Sequence, residues 1–160
     1  MKKLLLGVLA TIGISFAHAE MGSVEKYLSE NHNWQGDPSS LVYVNTRCTA
    51  INHAISKRYE GLEDKDSINK QTQFYDTAEY FATASFFFGS MAGVSDDALK
   101  DRAVFWGKYY QSEIYDNWIK YNNSFYGQVG NDLVSCNKKV YGEVTNIVEY
   151  LKAAQKETSL

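Results

Sequence analysis

Cysteine is scarce: in 160 residues only Cys48 and Cys136 occur, and they lie far apart. That spacing excludes the CxxC pair of thiol–disulfide exchange and the CxxCH run that attaches haem. Histidine is almost as rare, with His18, His32 and His53 and no HExxH or ExxH run. Zinc needs three or four protein ligands at suitable spacing, so no metal site and no cofactor are assigned. His53 lies five residues beyond Cys48, on a different side of a helix, and offers that thiol no base. Basic residues are also few, 16 Lys and Arg against 19 Asp and Glu for a formal net charge of -3. They cluster only in the pairs Lys57-Arg58 and Lys138-Lys139, which excludes the broad basic footprint that nucleic acid requires. Proline occurs once, at Pro38, so the chain beyond it is free of the strongest helix breaker. The longest apolar run, Leu4 to Phe16, is shorter than the roughly 20 residues of a spanning helix.

That run has another meaning. Lys2 and Lys3 precede it and Ala17-His18-Ala19 follows, the pattern of a leader cleaved after Ala19. Residues 1–19 are therefore expected to be a signal peptide and residues 20–160 a single helical domain, periplasmic or secreted, with no membrane span after cleavage. Losing Lys2 and Lys3 leaves 14 basic residues against 19 acidic, a formal charge of -5.

Periodicity fixes the fold class as all-α. Ser23 can cap a short helix in SVEKYLSE, followed by the irregular stretch NHNWQGDPSS. A first long helix is expected from about Ser40 to Glu60, with Leu41, Val44, Cys48, Ile51, Ile55 and Tyr59 in one stripe and Gly61 in a left-handed C-terminal cap. A second is expected from about Ser67 to Met91, capped by Asp66 or Ser67. Its Phe74, Ala78, Phe81, Ala82, Ser85 and Phe88 share a face that Tyr75, Phe86 and Phe87 broaden, and Gly93 ends it. Ser95, followed by two acids, starts a third that reaches about Ser124, with Leu99, Ala103, Trp106, Tyr110, Ile114, Trp118, Tyr121 and Phe125 in one broad arc. Val129, Leu133, Cys136, Val140, Val144, Ile147 and Leu151 mark a fourth. β-branched residues are too scattered, and alternation too rare, for a sheet. The expected architecture is an antiparallel four-helix bundle with an N-terminal arm across it.

Both cysteines lie on apolar stripes, and an exported chain meets an oxidising compartment, so an intramolecular Cys48–Cys136 disulfide is expected. Closing a loop of about 90 residues would contribute about 4 to 5 kcal/mol in the chain-entropy treatment. Register constrains it: Cys48 lies roughly 18 Å before the end of its helix, whereas a fourth helix starting at Asn131 leaves Cys136 only about 8 Å from the matching end. The fourth helix should therefore begin before Gly130, or the two helices should be offset.

Aromatic residues carry the functional reading. Phe105, Tyr109, Tyr115 and Tyr126 fall outside the apolar arc of the third helix and cannot all face one core. Interface centres concentrate such residues, although packing against Trp34 of the arm would also account for them. Beside the arc lie Arg102, Glu113 and Asp116. Two opposed carboxylates can hydrolyse a glycoside, but Glu113 and Asp116 occupy one wall, and an Asp116–Lys120 ion pair on a solvated flank accounts for them equally. No catalytic residues are assigned. The expected function is that of an exported, non-catalytic binding protein whose aromatic surface of Phe105, Tyr109, Glu113, Tyr115 and Asp116 meets a periplasmic or extracellular protein, with an inhibitor or immunity protein as one form of it. The alternative is a small-molecule or glycan-binding protein, hydrolytic in one version, with a pocket between the second and third helices that joins Tyr75 or Tyr80, Trp106, Tyr109, Glu113 and Asp116.

Overall fold

The computed structural model describes residues 22–158, all of whose regular structure is helical. The leader expected at 1–19 lies outside the described residues. In chain order come α1 (Val24–Glu30), a 3-10 turn (Trp34–Gly36), α2 (Pro38–Arg58), α3 (Lys65–Ala92) and α4 (Asp96–Tyr121). The last helix is continuous but changes pitch, through α5 (Gln128–Val134), a π-helical segment (Ser135–Val140) and α6 (Tyr141–Thr158).

Local chemistry sets these boundaries. Ser23 accepts the Lys26 amide proton at the start of α1, and Ser95 accepts that of Ala98 at the start of α4. α2 begins two residues ahead of the expected Ser40 because Asp37-Pro38 is a start signal: the Asp37 carboxylate accepts from the amides of Ser39 and Ser40, with proline in the first turn. Asp64, not Asp66 or Ser67, caps α3. Gly61 and Gly93 have φ of 79° and 68°, the left-handed values expected after α2 and α3. α4 stops at Tyr121, short of Ser124, because Asn122 turns left-handed at φ 49°.

α2 is the centre of the molecule. Of its 21 residues 14 are buried, which is far more than one stripe. Several of its buried polar side chains bond back onto the helix: Asn45 donates to the Leu41 carbonyl, Thr46 to that of Val42 and Asn52 to that of Cys48, while the Asn45 amide oxygen is left without a partner among the described residues. α3 covers one side in opposite order, with Tyr59 stacked on Phe74 and Leu41 sharing a groove with Phe88. α4 covers another in the same order, Tyr43 meeting Trp106, Arg47 meeting Tyr110 and Arg58 meeting Trp118. Tyr75, Phe86 and Phe87 do not broaden the core face of α3; all three are exposed.

Cys48 and Cys136 are joined, with Cα atoms 5.4 Å apart. The last helix does begin before Gly130, at Gln128. Its contacts with α2 nevertheless depart from an antiparallel register: Arg47–Asp132, Cys48–Cys136 and Asn52–Asn137 rise together in residue number. α5 and the π segment pack on α2, whereas α6 leans on α3 and the 3-10 turn. The last helix thus moves from one neighbour to another along its length. Residue spacing explains the change of pitch: the buried Asp132, Cys136, Val140 and Val144 recur every four residues. In an α-helix each such step overshoots a turn by about 40°. The wider π turn keeps these residues on one face.

The start of α5 is tight. A Cβ on Gly130 would press on the carbonyl oxygen of Phe125, which is backbone and cannot swing aside. Gly130→Ala is therefore expected to lose about 1–3 kcal/mol, despite a gain of up to about 1 kcal/mol in helix propensity. The midpoint of urea unfolding measures it, and an unchanged or raised midpoint would contradict this packing.

Candidate functional site

The densest polar chemistry lies in the interior. Arg47 is fully buried, and its guanidinium carbon sits 4.2 Å from the centre of the Trp106 ring. Nε and Nη2 donate to the Tyr110 hydroxyl at 3.1 and 2.9 Å. Nη2 also reaches Asp132 Oδ2 at 2.7 Å, and Nη1 donates to the Gly22 carbonyl at 2.5 Å and the Tyr43 hydroxyl at 2.9 Å. Every face of the fork is used. Asp132 is as well satisfied: Oδ2 also accepts from the Tyr110 hydroxyl at 2.6 Å, and Oδ1 accepts from the Val24 amide at 2.6 Å. Burial works against the guanidinium's charge, but Tyr110, Asp132 and Tyr43 outweigh it and hold the pKa above its ordinary value. Burial also pushes the Tyr110 phenol well up, which keeps it a proton donor to Asp132. With Arg47 and Asp132 both sealed from solvent, the cluster ties the start of α1 to α2, α4 and α5 and offers no surface to a substrate. Sequence periodicity missed it and placed Leu133 on the core face where Asp132 is buried. A signal was present: opposite charges lie one residue before Cys48 and four before Cys136.

The accessible candidate is the outer side of α4. Of the off-arc aromatics, Tyr115 and Phe105 are exposed, at 65% and 56%. Neither makes a ring contact with Trp34, which is buried in the turn before α2 and shares a groove with Lys138 and Lys139 of the last helix. Tyr109 is half-buried and meets Trp106 and Tyr110 edge-on. Burial, then the Glu113 carboxylate, raises its phenol pKa. Glu113 and Asp116 are half-exposed, and Asp116 pairs with Lys120 at 3.6 Å. These five residues are not one patch. At about 100° per residue, Tyr115 lies some 80° or more from the other four around the helix.

Trp118 and Tyr121, expected in the apolar arc, are exposed, and Asn117 is buried in their place, its amide donating to the Tyr126 carbonyl. Trp106, Tyr110, Ile114 and Trp118 follow one another by four, so the series drifts about 40° at each step and leaves the core by its last member. Tyr115, Trp118 and Ile119 consequently form one exposed apolar cluster three and four residues apart, and Val104 continues the stripe three turns earlier.

A groove of about 410 Å³ beside this cluster is lined by Ala54, Lys57, Arg58, Gln111, Ile114, Tyr115 and Trp118. It meets, at Gln111, a second of about 330 Å³ lined by Ala50, His53, Val104, Lys108 and their neighbours. The pocket expected between the second and third long helices has a different form: the groove that Tyr80 lines faces Val148 and Leu151 of α6 and contains none of Trp106, Tyr109, Glu113 or Asp116. Among the described residues no helix is long and apolar enough to cross a membrane, and no group of three or more His, Cys, Asp or Glu is placed to hold a metal ion. No protein-family model matches the sequence, and no curated protein or solved structure does either.

Proposed function

We propose that the protein is an exported, non-catalytic binding protein that presents the outer face of α4 to a protein partner in the periplasm or outside the cell. An inhibitor or immunity protein is one form of that role. The reading rests on the exposed cluster of Tyr115, Trp118 and Ile119. Isolated apolar residues are ordinary on a surface, but a contiguous aromatic and aliphatic group is a mark of recognition. Phe105 and Tyr109, with Glu113 and Asp116, form the polar-edged flank of the same helix. The leader pattern and the Cys48–Cys136 bond support an oxidising destination. A disulfide and a buried ion pair on the supporting helices keep such a face ordered before contact, which lowers the cost of association.

Tyr115→Asp combined with Ile119→Asp tests the reading. Both side chains are exposed, so the thermal midpoint should stay within about 2 °C of the parent. Affinity for a partner captured selectively from the native envelope fraction should fall about 30-fold or more, the scale of losing one interface anchor. Identical capture by both proteins would reject this face.

A further inference from the structure

The geometry points to an acidic, amphipathic helix of the partner protein as the occupant of the groove between α2 and α4. This rests on the proposed binding role and specifies the partner's chemistry. The two grooves that meet at Gln111 make one channel, bounded by α2 from Thr49 to Arg58 and by α4 from Ala103 to Trp118. Along α4 that is about 22 Å, the length of a helix of about 15 residues. Lys57, Arg58 and Lys108 line the channel, and among the described residues no aspartate or glutamate does, although the chain as a whole is acidic. Lys57 is held by Glu60 at 2.9 Å. Arg58 lies 5.4 Å from the centre of the Trp118 ring, and among the described residues neither it nor Lys108 has a carboxylate partner. Two uncompensated cations therefore stand at the lips, while Ala54, Ile114, Val104 and Trp118 give the floor and walls an apolar character.

An amphipathic helix meets both demands, with its apolar face on the floor and flanking carboxylates at Arg58 and Lys108. Charge complementarity of this kind sets orientation and encounter rate. An anionic glycan fits less well: Tyr115 and Trp118 suit sugar rings and Thr49, His53 and Gln111 suit a few hydroxyls, but Ala50, Ala54, Val104 and Ile114 leave much of the channel apolar.

The test uses the oxidised chain without residues 1–19. One probe is a 16-residue capped peptide with leucines on one helical face and glutamates on its flanks; a second carries lysine for glutamate, and a third is an oligogalacturonate of equal charge. Trp118 reports contact by fluorescence, since Trp34 and Trp106 are buried. The glutamate peptide should bind at least about tenfold more tightly than the lysine peptide, less so as salt is raised. Arg58→Glu with Lys108→Glu, both at exposed positions, should reverse that preference. Absent binding of the glutamate peptide, equal binding of both peptides, or a preference unmoved by the reversal would overturn the inference. So would tighter binding of the oligogalacturonate, or a dimer of the parent chain that the reversal dissociates. If the charge tests fail while Tyr115→Asp with Ile119→Asp still abolishes partner capture, the acidic-helix inference falls and the α4 surface stands.

Discussion

Asp132→Ala is expected to cost the folded protein about 3–5 kcal/mol, the penalty for stranding one member of a buried ion pair. The carboxylate is the shared acceptor of Arg47, the Tyr110 hydroxyl and the Val24 amide, all in the interior. Its removal leaves a guanidinium sealed against Trp106 with no anion and the first turn of α1 with an unmet donor. A typical domain is stable by only about 5–15 kcal/mol, so this single change takes a large share. The companion variant sharpens the result: Arg47→Met with Asp132→Leu removes both charges together and should recover most of the loss, because neither is then stranded. Urea unfolding of the oxidised proteins measures both. A loss below about 1 kcal/mol for Asp132→Ala would show that water reaches the pair.

Removing the disulfide by Cys48→Ala with Cys136→Ala should cost about 4 to 5 kcal/mol, from the entropy that an 88-residue separation releases to the unfolded chain. The folded state should survive the loss. Arg47–Asp132 and the paired amides of Asn52 and Asn137, at 3.1 and 3.2 Å, join the same elements on either side of the sulfurs. Helical circular dichroism at 25 °C should therefore be kept while the urea midpoint drops. Coincident loss of helix and midpoint would mean that the noncovalent links cannot hold the junction alone. Because the ion pair and the sulfurs share that junction, the effects of Asp132→Ala and of the cysteine pair should not add.

Some helix ends were legible because their causes are local, although those at Asp37, Asp64 and Asn122 were not. Ser23, Ser95, Gly61 and Gly93 act through hydrogen bonds or backbone angles within a few residues. The disulfide was legible because each cysteine shares a stripe with apolar neighbours. Burial of α2 on most of its circumference was not, since Asn45, Thr46 and Asn52 look like surface residues until their bonds to carbonyls one turn back are seen. Arg47 and Asp132 are hidden for a different reason: charged residues read as solvated unless a partner distant in sequence is known. At the candidate site, the angle of Phe105 and Tyr115 on α4 placed them outside the core arc, but whether solvent or the arm covered them depended on contacts distant in sequence. The arc through Trp118 ignored the drift of a four-residue series. The cationic channel combines residues of α2 and α4, so no reading of one helix at a time assembles it.

The separation of Arg47 from its counter-ion also bears on how the chain is made. Asp132 follows it by 85 residues, so α2, α3 and α4 are all synthesised before the guanidinium has an anion. Until then, closing the interior around α2 would strand that cation, and a nascent chain has reason to stay loose. Closing the interior around α2 with both charges paired therefore needs α5, which follows α2, α3 and α4 along the chain.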